Sequence, residues 1–295
     1  MLIYFEAKTI YFIFAKYMGV IDDNKAYLKR KHEGGLSSKK GSTFEDFYAT
    51  YRIVALMSRF GHNLKHVSFT AQVEDAFVDD LLIAYPKKRF YHQIKDVNNL
   101  SWTLGNKTHT MQEDFELQKQ ACEEKHAAYE LRLVCSHDSV QIRDIPDSLK
   151  SCTKLVHFES AKTLNACILS NKDFRDALSA ISLEKSWDSL SNLGTCILGY
   201  WASGNQQNVK LDAVYKHILS VSKGMIVLLG YPVEKLSDRC QAILSQIGIE
   251  YSQTGNLFVW SALPFKGSIA WSRDIDDKIC KQAPKTIMDF LSIIN

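Results

Sequence analysis

Three short stretches rich in strand-forming residues follow one another in the first third of the chain, and they constrain its fold more than any other feature. They cover residues 67–73, 77–85 and 89–95. A helical pattern precedes them from Ser42 to about Arg59, and a polar helical pattern follows from Met111 to Tyr129. Helices that flank a run of strands in this way predict a mixed α/β unit.

The whole chain is predicted to fall into three parts. Residues 1–40 hold an apolar segment and a basic arm, residues 41–160 form the mixed α/β unit, and residues 161–295 form a second, smaller helical and α/β region. The longest uncharged apolar run of the first part, Ile10–Ala15, is too short to span a bilayer. We therefore expect no membrane association, and the scattered cysteines lead us to expect a protein of the reducing cytoplasm.

Composition narrows the classes of protein that need to be considered. The 295 residues are 46% hydrophobic and 23% charged, which is close to the globular average and argues against a disordered, collagen-like or coiled-coil chain. The seven cysteines include no Cys-x-x-Cys pair, so the sequence indicates neither a disulfide framework nor a structural zinc site. A net charge of +3 tolerates a polyanionic partner without demonstrating one.

The tripeptide acid-or-glutamine, any residue, lysine is common in this chain, so its position decides its meaning. It begins at five residues, Glu6, Asp23, Gln93, Glu123 and Asp276. Only the copy at residues 93–95 ends a predicted strand whose hairpin partner begins with acids, Asp79 and Asp80. This hairpin is therefore the candidate site.

The geometry of a tight hairpin predicts which side chains meet. If the chain reverses around residues 86–87, residues whose numbers sum to about 173 lie opposite one another, which pairs Asp80 with Gln93. Lys95 is then a diagonal neighbour of Asp80, on the same face as Gln93. A slip of one residue would favour Asp79, so Asp80 is the preferred acid and Asp79 the reserve.

Such a group suits the metal-dependent cleavage of a phosphodiester. That reaction needs carboxylates that converge on a divalent ion, and a lysine close to the attacking water. The predicted hairpin brings an acid and a lysine together at low structural cost.

Three segments carry a resemblance to a known family, and they are GSTFE at residues 41–45, VEDAFVDDLL at 73–82 and YHQIK at 91–95. They resemble the PD-(D/E)xK restriction-endonuclease-like superfamily. The closest likeness is to the double-stranded-DNA endonuclease effectors of bacterial anti-phage defence (CBASS- and Lamassu-type), whose last motif is commonly QxK. The resemblance covers roughly residues 41–160, and it implies a central mixed sheet flanked by helices.

The resemblance also implies a chemistry. It assigns the catalytic lysine to Lys95 and metal binding to Asp80 and Gln93, with Mg²⁺ or Mn²⁺ as the cofactor. It also implies that Glu45 is the acid of the first helix and a further metal ligand, with Asp79 as the reserve ligand, and that double-stranded DNA is the substrate. Gln93 stands where the general pattern has a second carboxylate, which lowers the negative charge available to hold a metal.

The resemblance also has implications for how the expected nuclease activity is controlled. The region after residue 160 contains no obvious second-messenger sensor, so control by a partner chain or by homo-oligomerisation is the expected substitute. One arrangement in related systems pairs such a nuclease with an SMC-like ATPase sensor. The resemblance extends that expectation to this chain.

Other functions stay open at this point. The protein could be a binding or scaffold subunit that keeps the nuclease fold without catalysis, and Gln93 is the feature that supports this alternative. It could also be a nuclease directed at RNA. The basic turn at residues 87–89, which is expected to flank the site, could contact nucleic acid or remain solvated.

Each candidate residue has a structural alternative. Glu45 could act only as the capping-box partner of Ser42, and the acids at residues 79–80 could be solvated strand-end carboxylates. Lys95 could be one more surface lysine. His92 is expected on the opposite face of its strand, where it would be a structural histidine and not a base.

Overall fold

The computed structural model describes residues 41–74, 76–105, 110–137, 142, 144–222, 225–228 and 235–294. The predicted apolar segment and basic arm, residues 1–40, lie outside these ranges. The chain divides into two compact units, Met1–Thr43 and Phe44–Asn295, and the described strands all belong to the second. Within the described ranges, no helix is long and apolar enough to cross a membrane.

The first part of the described chain contains a helix, three strands, a second helix and two further strands. These are α1 (residues 41–60), β1 (Ser68–Ala71), β2 (Leu81–Ala84), β3 (Arg89–Lys95), α2 (Met111–Glu124), β4 (Tyr129–Cys135) and β5 (Thr153–His157). A helical and a mixed segment follow. They contain α3 (Leu164–Ser170), α4 (Lys172–Ile181), α5 (Trp187–Ser203), β6 (Val209–Lys210), α6 (Leu211–Val221), α7 (Asp238–Gln246), β7 (Glu250–Thr254), β8 (Leu257–Ala262), β9 (Phe265–Ala270), α8 (Arg273–Gln282) and α9 (Ile287–Ile294).

The described strands form two sheets. The larger has the order β5-β4-β3-β2-β1-β6, in which β1, β2 and β3 are antiparallel neighbours while β3, β4 and β5 run parallel. The smaller is an antiparallel sheet of β7, β8 and β9. The expectation of a mixed sheet flanked by helices, with a smaller α/β part towards the C-terminus, is confirmed at this level.

Successive side chains of β3 point alternately into two separate apolar cores. Ile94 packs in the core that contains Tyr48 of α1, whereas Tyr91 packs in the core that contains Phe115 of α2. Side chains of successive strand residues point to opposite faces, so the two helices cover opposite faces of the sheet.

The second helix begins where the sequence predicts but ends earlier. Thr110 and Glu113 form a reciprocal capping box at its start. The predicted end at Tyr129 is wrong, because the helix stops at Glu124 and Tyr129 already belongs to β4. The turn that breaks it places His126 at a φ of 50°, a conformation that no helix can continue through.

The core beneath α1 continues beyond residue 160, where the mixed α/β unit was predicted to end. Phe174, Leu193, Trp201 and Tyr215 belong to the same cluster of buried side chains as Tyr48. The short strand β6 also pairs with β1 and so extends the larger sheet. A separate core, which includes Phe258, Trp260, Trp271 and Phe290, lies under the smaller sheet.

Candidate active site

The β2–β3 hairpin has the predicted register. The ladder pairs Leu81 with His92 and Ala84 with Arg89, so paired residue numbers sum to 173. One further step along the ladder sets Asp80 opposite Gln93. The register prediction is therefore confirmed, and Asp80 and Gln93 meet where the hairpin opens.

Three donors converge on one oxygen of Asp80. Its Oδ2 accepts hydrogen bonds from Gln93 Nε2 at 2.6 Å, from the Ile94 backbone N–H at 2.7 Å and from Lys95 Nζ at 3.3 Å. Asp80 is 7% exposed and Gln93 8%. Charge-assisted hydrogen bonds of this kind are stronger than neutral ones, so the carboxylate is held firmly in a buried position.

Lys95 lies at the border between this buried group and solvent. Its side chain is 34% exposed while its ammonium pairs with Asp80. A lysine in this position can reach a molecule that enters from solvent and still keep a defined direction. The predicted grouping of Asp80, Gln93 and Lys95 is confirmed, whereas their roles in chemistry stay a prediction.

Glu45 reaches the same group from α1. Burial raises its pKa to about 7, and the nearby charge of Asp80 adds to this rise, while Lys95 opposes it. Gln72 Nε2 donates a hydrogen bond to Glu45 Oε2 at 3.2 Å. The acid of the first helix and the hairpin acid are thus electrostatic neighbours.

Asp79 lies beside the group in a different environment. Burial and the charge of Asp80 raise its pKa, as expected for two adjacent carboxyls. Its backbone carbonyl accepts the Val73 N–H at 2.8 Å, which narrows the neck of the β1–β2 loop. The hydrogen bonds from Gln93 and Lys95 go to Asp80, as the preferred register predicts.

His92 occupies the opposite face of β3, as expected. It is fully buried, and its Nδ1 lies 3.0 Å from the Leu81 carbonyl oxygen, where an N–H donates a hydrogen bond. Burial holds its pKa well below the ordinary value, and the charges of Arg52 and Arg132 act in the same direction. A neutral histidine in this position supports the structural interpretation.

The basic turn lies at the wrong end of the hairpin to flank this site. Residues 87–89 precede or begin β3, whereas Lys95 ends it. Arg89 and Lys95 are six steps apart along an extended strand, which separates them by about 20 Å. Lys88 instead pairs with Glu130 at 3.0 Å. The expectation that this turn flanks the site is wrong, because the whole length of β3 lies between them.

Carboxylate and amide oxygens lie at the open end of the hairpin, and oxygen ligands suit a hard divalent cation. The amide of Gln93 donates through Nε2 to Asp80, so its Oε1 is the atom available to a cation. In the part of the chain that the structure describes, no group of three or more histidine, cysteine, aspartate or glutamate side chains is placed to hold a metal ion.

Two glutamines were missed by sequence reasoning. Gln72, which has a φ of 47°, bonds to Glu45, and Gln118 of α2 accepts hydrogen bonds from the Phe77 and Val78 backbone N–H groups. Neither belongs to a motif. Their positions depend on how the helices pack on the sheet, so only the folded structure reveals them.

Comparison with known proteins finds no matching family model, no matching curated protein and no matching solved structure.

Proposed function

We propose that this chain is a metal-dependent DNA endonuclease that acts as the effector of an anti-phage defence system. The observation that carries the proposal is the convergence of Gln93, Ile94 and Lys95 on one oxygen of Asp80, with Glu45 as an electrostatic neighbour. The helix-flanked mixed sheet and the QxK ending of β3 give further support, since both accord with the PD-(D/E)xK resemblance.

Lys95 is the residue that acts on the attacking water. Its ion pair with Asp80 fixes the direction of the ammonium group, and its partial exposure lets the group meet a bound substrate. From there it orients the water, and its charge stabilises the negative charge that grows on the phosphate oxygens.

Asp80, Gln93 and Glu45 are the residues that would hold Mg²⁺ or Mn²⁺, with Asp79 as the reserve carboxylate. Bound there, the ion would polarise the scissile phosphate and stabilise the leaving oxygen. Gln93 contributes a neutral oxygen, so the group carries less negative charge than one with a second strand carboxylate. We expect correspondingly weak metal binding.

Control by assembly is part of the proposal. Candidate partners are an SMC-like ATPase sensor and further copies of this chain, and double-stranded DNA is the substrate. Large apolar side chains exposed in the region after residue 160 include Leu169, Val221, Leu263 and Met288. Such surface is available for contacts between chains.

The test is cleavage of supercoiled plasmid by the purified full chain in Mg²⁺, in Mn²⁺ or in EDTA, alone and with the proteins encoded beside it. We expect metal-dependent conversion to nicked and linear DNA. Lys95→Ala should lower the rate by about 100-fold or more, because the developing charge loses its fixed cation. Asp80→Asn should do the same while it preserves the shape of the side chain.

Lys278→Ala is the matched control. Lys278 ends another copy of the same tripeptide but lies on α8 and pairs with Asp274. Its loss should leave cleavage unchanged. Equal cleavage by the wild type and the Lys95 and Asp80 variants would show that the site is assigned incorrectly. Faster cleavage of single-stranded RNA than of DNA would favour the RNA-directed alternative.

A non-catalytic scaffold is the second candidate, and two observations favour it. Gln93 replaces a carboxylate, and Asp80 Oδ2 is already occupied by three internal donors. Gln93→Glu separates the two functions. In a scaffold that has lost its second carboxylate ligand, the wild type would neither cut DNA nor bind metal, even with its partners present. The Gln93→Glu variant would do both.

A further inference from the structure

Gln118 joins α2 to the loop that carries the candidate acids. It is 3% exposed. Its Oε1 accepts hydrogen bonds from the backbone N–H groups of Phe77 at 2.8 Å and Val78 at 3.3 Å, while its Nε2 donates to Cys122 Sγ at 3.4 Å. One buried side chain therefore satisfies two consecutive backbone donors.

Those two donors lie immediately before Asp79 and Asp80. On the other side of the loop, the Gln72 N–H donates to the Asp80 carbonyl at 3.3 Å and the Val73 N–H donates to the Asp79 carbonyl at 2.8 Å. These bonds close the neck of the β1–β2 loop. Gln118 fixes the residues before the neck, so the backbone of Asp80 is held from both sides.

The position of Gln118 requires a side chain whose hydrogen-bond acceptor reaches two adjacent backbone N–H groups. An amide oxygen has two lone pairs and meets this requirement, whereas an apolar side chain of the same length leaves both N–H groups unpaired. Unpaired N–H groups in a buried loop favour a different loop conformation. Any such shift moves the acids that directly follow.

We propose that Gln118 is a positioning residue for the candidate site and acts through the 77–80 backbone to set the place of the Asp80 carboxylate. The proposal rests on the proposed function, because it concerns the acid assigned to metal binding. Gln118 itself does not touch the substrate or the metal. Its effect is on how well Asp80 is placed for a metal and for Lys95.

A purely structural role for Gln118 would give a different result from a positioning role. Loss of a structural hydrogen bond lowers the temperature of unfolding and leaves the metal affinity of the folded protein unchanged. Loss of a positioning contact weakens metal binding even where the protein is fully folded. Supporting groups behind metal ligands typically contribute about 10- to 100-fold in metal affinity or activity.

The experiment compares Gln118→Met, Gln118→Glu and the wild type. Met removes the acceptor at nearly constant volume, and Glu retains an oxygen that can accept from both amides. Mn²⁺ binding to the full chain is measured by isothermal titration calorimetry, well below each unfolding temperature, and kcat and KM for plasmid cleavage are measured beside it. Gln120→Met is the matched control, because Gln120 lies on the same helix but on its exposed side, where it bonds to Glu124.

We expect Gln118→Met to weaken Mn²⁺ binding by about 10- to 100-fold and to lower kcat with little change in KM for DNA. Gln118→Glu should recover most of the affinity, and Gln120→Met should match the wild type.

If Gln118→Met does not fold, Gln118→Asn serves in its place, since it keeps the amide but withdraws it from the loop. A folded variant with wild-type Mn²⁺ affinity would overturn the positioning role alone. A wild type that binds no Mn²⁺ would overturn the proposed function and this inference with it.

Discussion

Glu45 gives the prediction that follows most directly from the electrostatics of the site. Its pKa rises from 4.5 to about 7, first because it is buried and second because Asp80 is close. The folded protein therefore binds a proton at Glu45 more tightly than the unfolded chain does. Glu45→Gln keeps an oxygen that can accept the hydrogen bond from Gln72 and removes the charge.

The sign of the effect follows from linkage. A carboxyl whose pKa is higher in the folded state contributes stability that is fully present below pH 4.5 and is lost as the pH rises through about 7. At pH 8 the wild type carries the full cost of an ionised, partly desolvated Glu45. The Glu45→Gln variant does not carry this cost, so we expect it to be the more stable protein at pH 8.

The magnitude is bounded by the change in pKa. A rise from 4.5 to about 7 corresponds to at most about 3 kcal/mol. Glu45 is only partly buried, and solvent screens part of this energy, so about 1–2 kcal/mol is the expected gain at pH 8. In a protein of this size, that gain raises Tm by a few degrees.

The assay is urea unfolding of both proteins in EDTA at half-unit steps from pH 4.5 to 8. The difference in unfolding free energy should be near zero at the acid end, should grow as the pH rises from 4.5 and should level off above about pH 7. Glu250→Gln, which removes an exposed carboxyl on β7, controls for the general effect of net charge. An advantage for Glu45→Gln that stays constant with pH, or that is largest at pH 4.5, would refute the argument.

Two further predictions concern the packing of each core. Gly267→Ala should destabilise the smaller sheet by roughly 1–3 kcal/mol, because the added Cβ would lie 2.9 Å from the Trp260 ring. Tryptophan fluorescence during urea unfolding measures this, and Gly199→Ala, which meets no atom within 4 Å, should not destabilise the fold. His92 is held neutral by burial, so the wild type should lose stability as the pH falls below about 6.5, whereas His92→Gln should lose less over the same range in the same assay. Equal slopes for wild type and His92→Gln would show that His92 is not the group responsible.

The hairpin could be predicted from sequence because its determinants are local. A tight turn fixes which residues pair, and the alternation of a strand fixes which side chains share a face. Asp80, Gln93 and Lys95 therefore meet as predicted. The same local reasoning failed for the basic turn, because the length of β3 separates this turn from the site. It also failed for the end of α2, which was predicted to continue into residues that belong to β4.

The supports of the site could not be predicted, because they are made by residues distant in sequence. Gln118 lies 41 residues from Phe77, and Gln72 lies 27 residues from Glu45. Glutamines of this kind have no sequence signature, and surface glutamines are common. Only the packing of α2 and the left-handed turn at Gln72 make these two residues part of the site.

The region after residue 160 also contributes to this support. Trp201 Nε1 and Gln206 Nε2 each donate a hydrogen bond of 3.0 Å to Asp46 Oδ1, next to Glu45. The Gln206 carbonyl accepts the Ala71 N–H at 2.9 Å and so holds the end of β1. Because α1 and β1 bring Glu45 and Gln72 together, the connection between α5 and β6 fixes both sides of that contact. The residues of the candidate site all precede residue 160, but the contacts that hold α1 and β1 in place come from both sides of it.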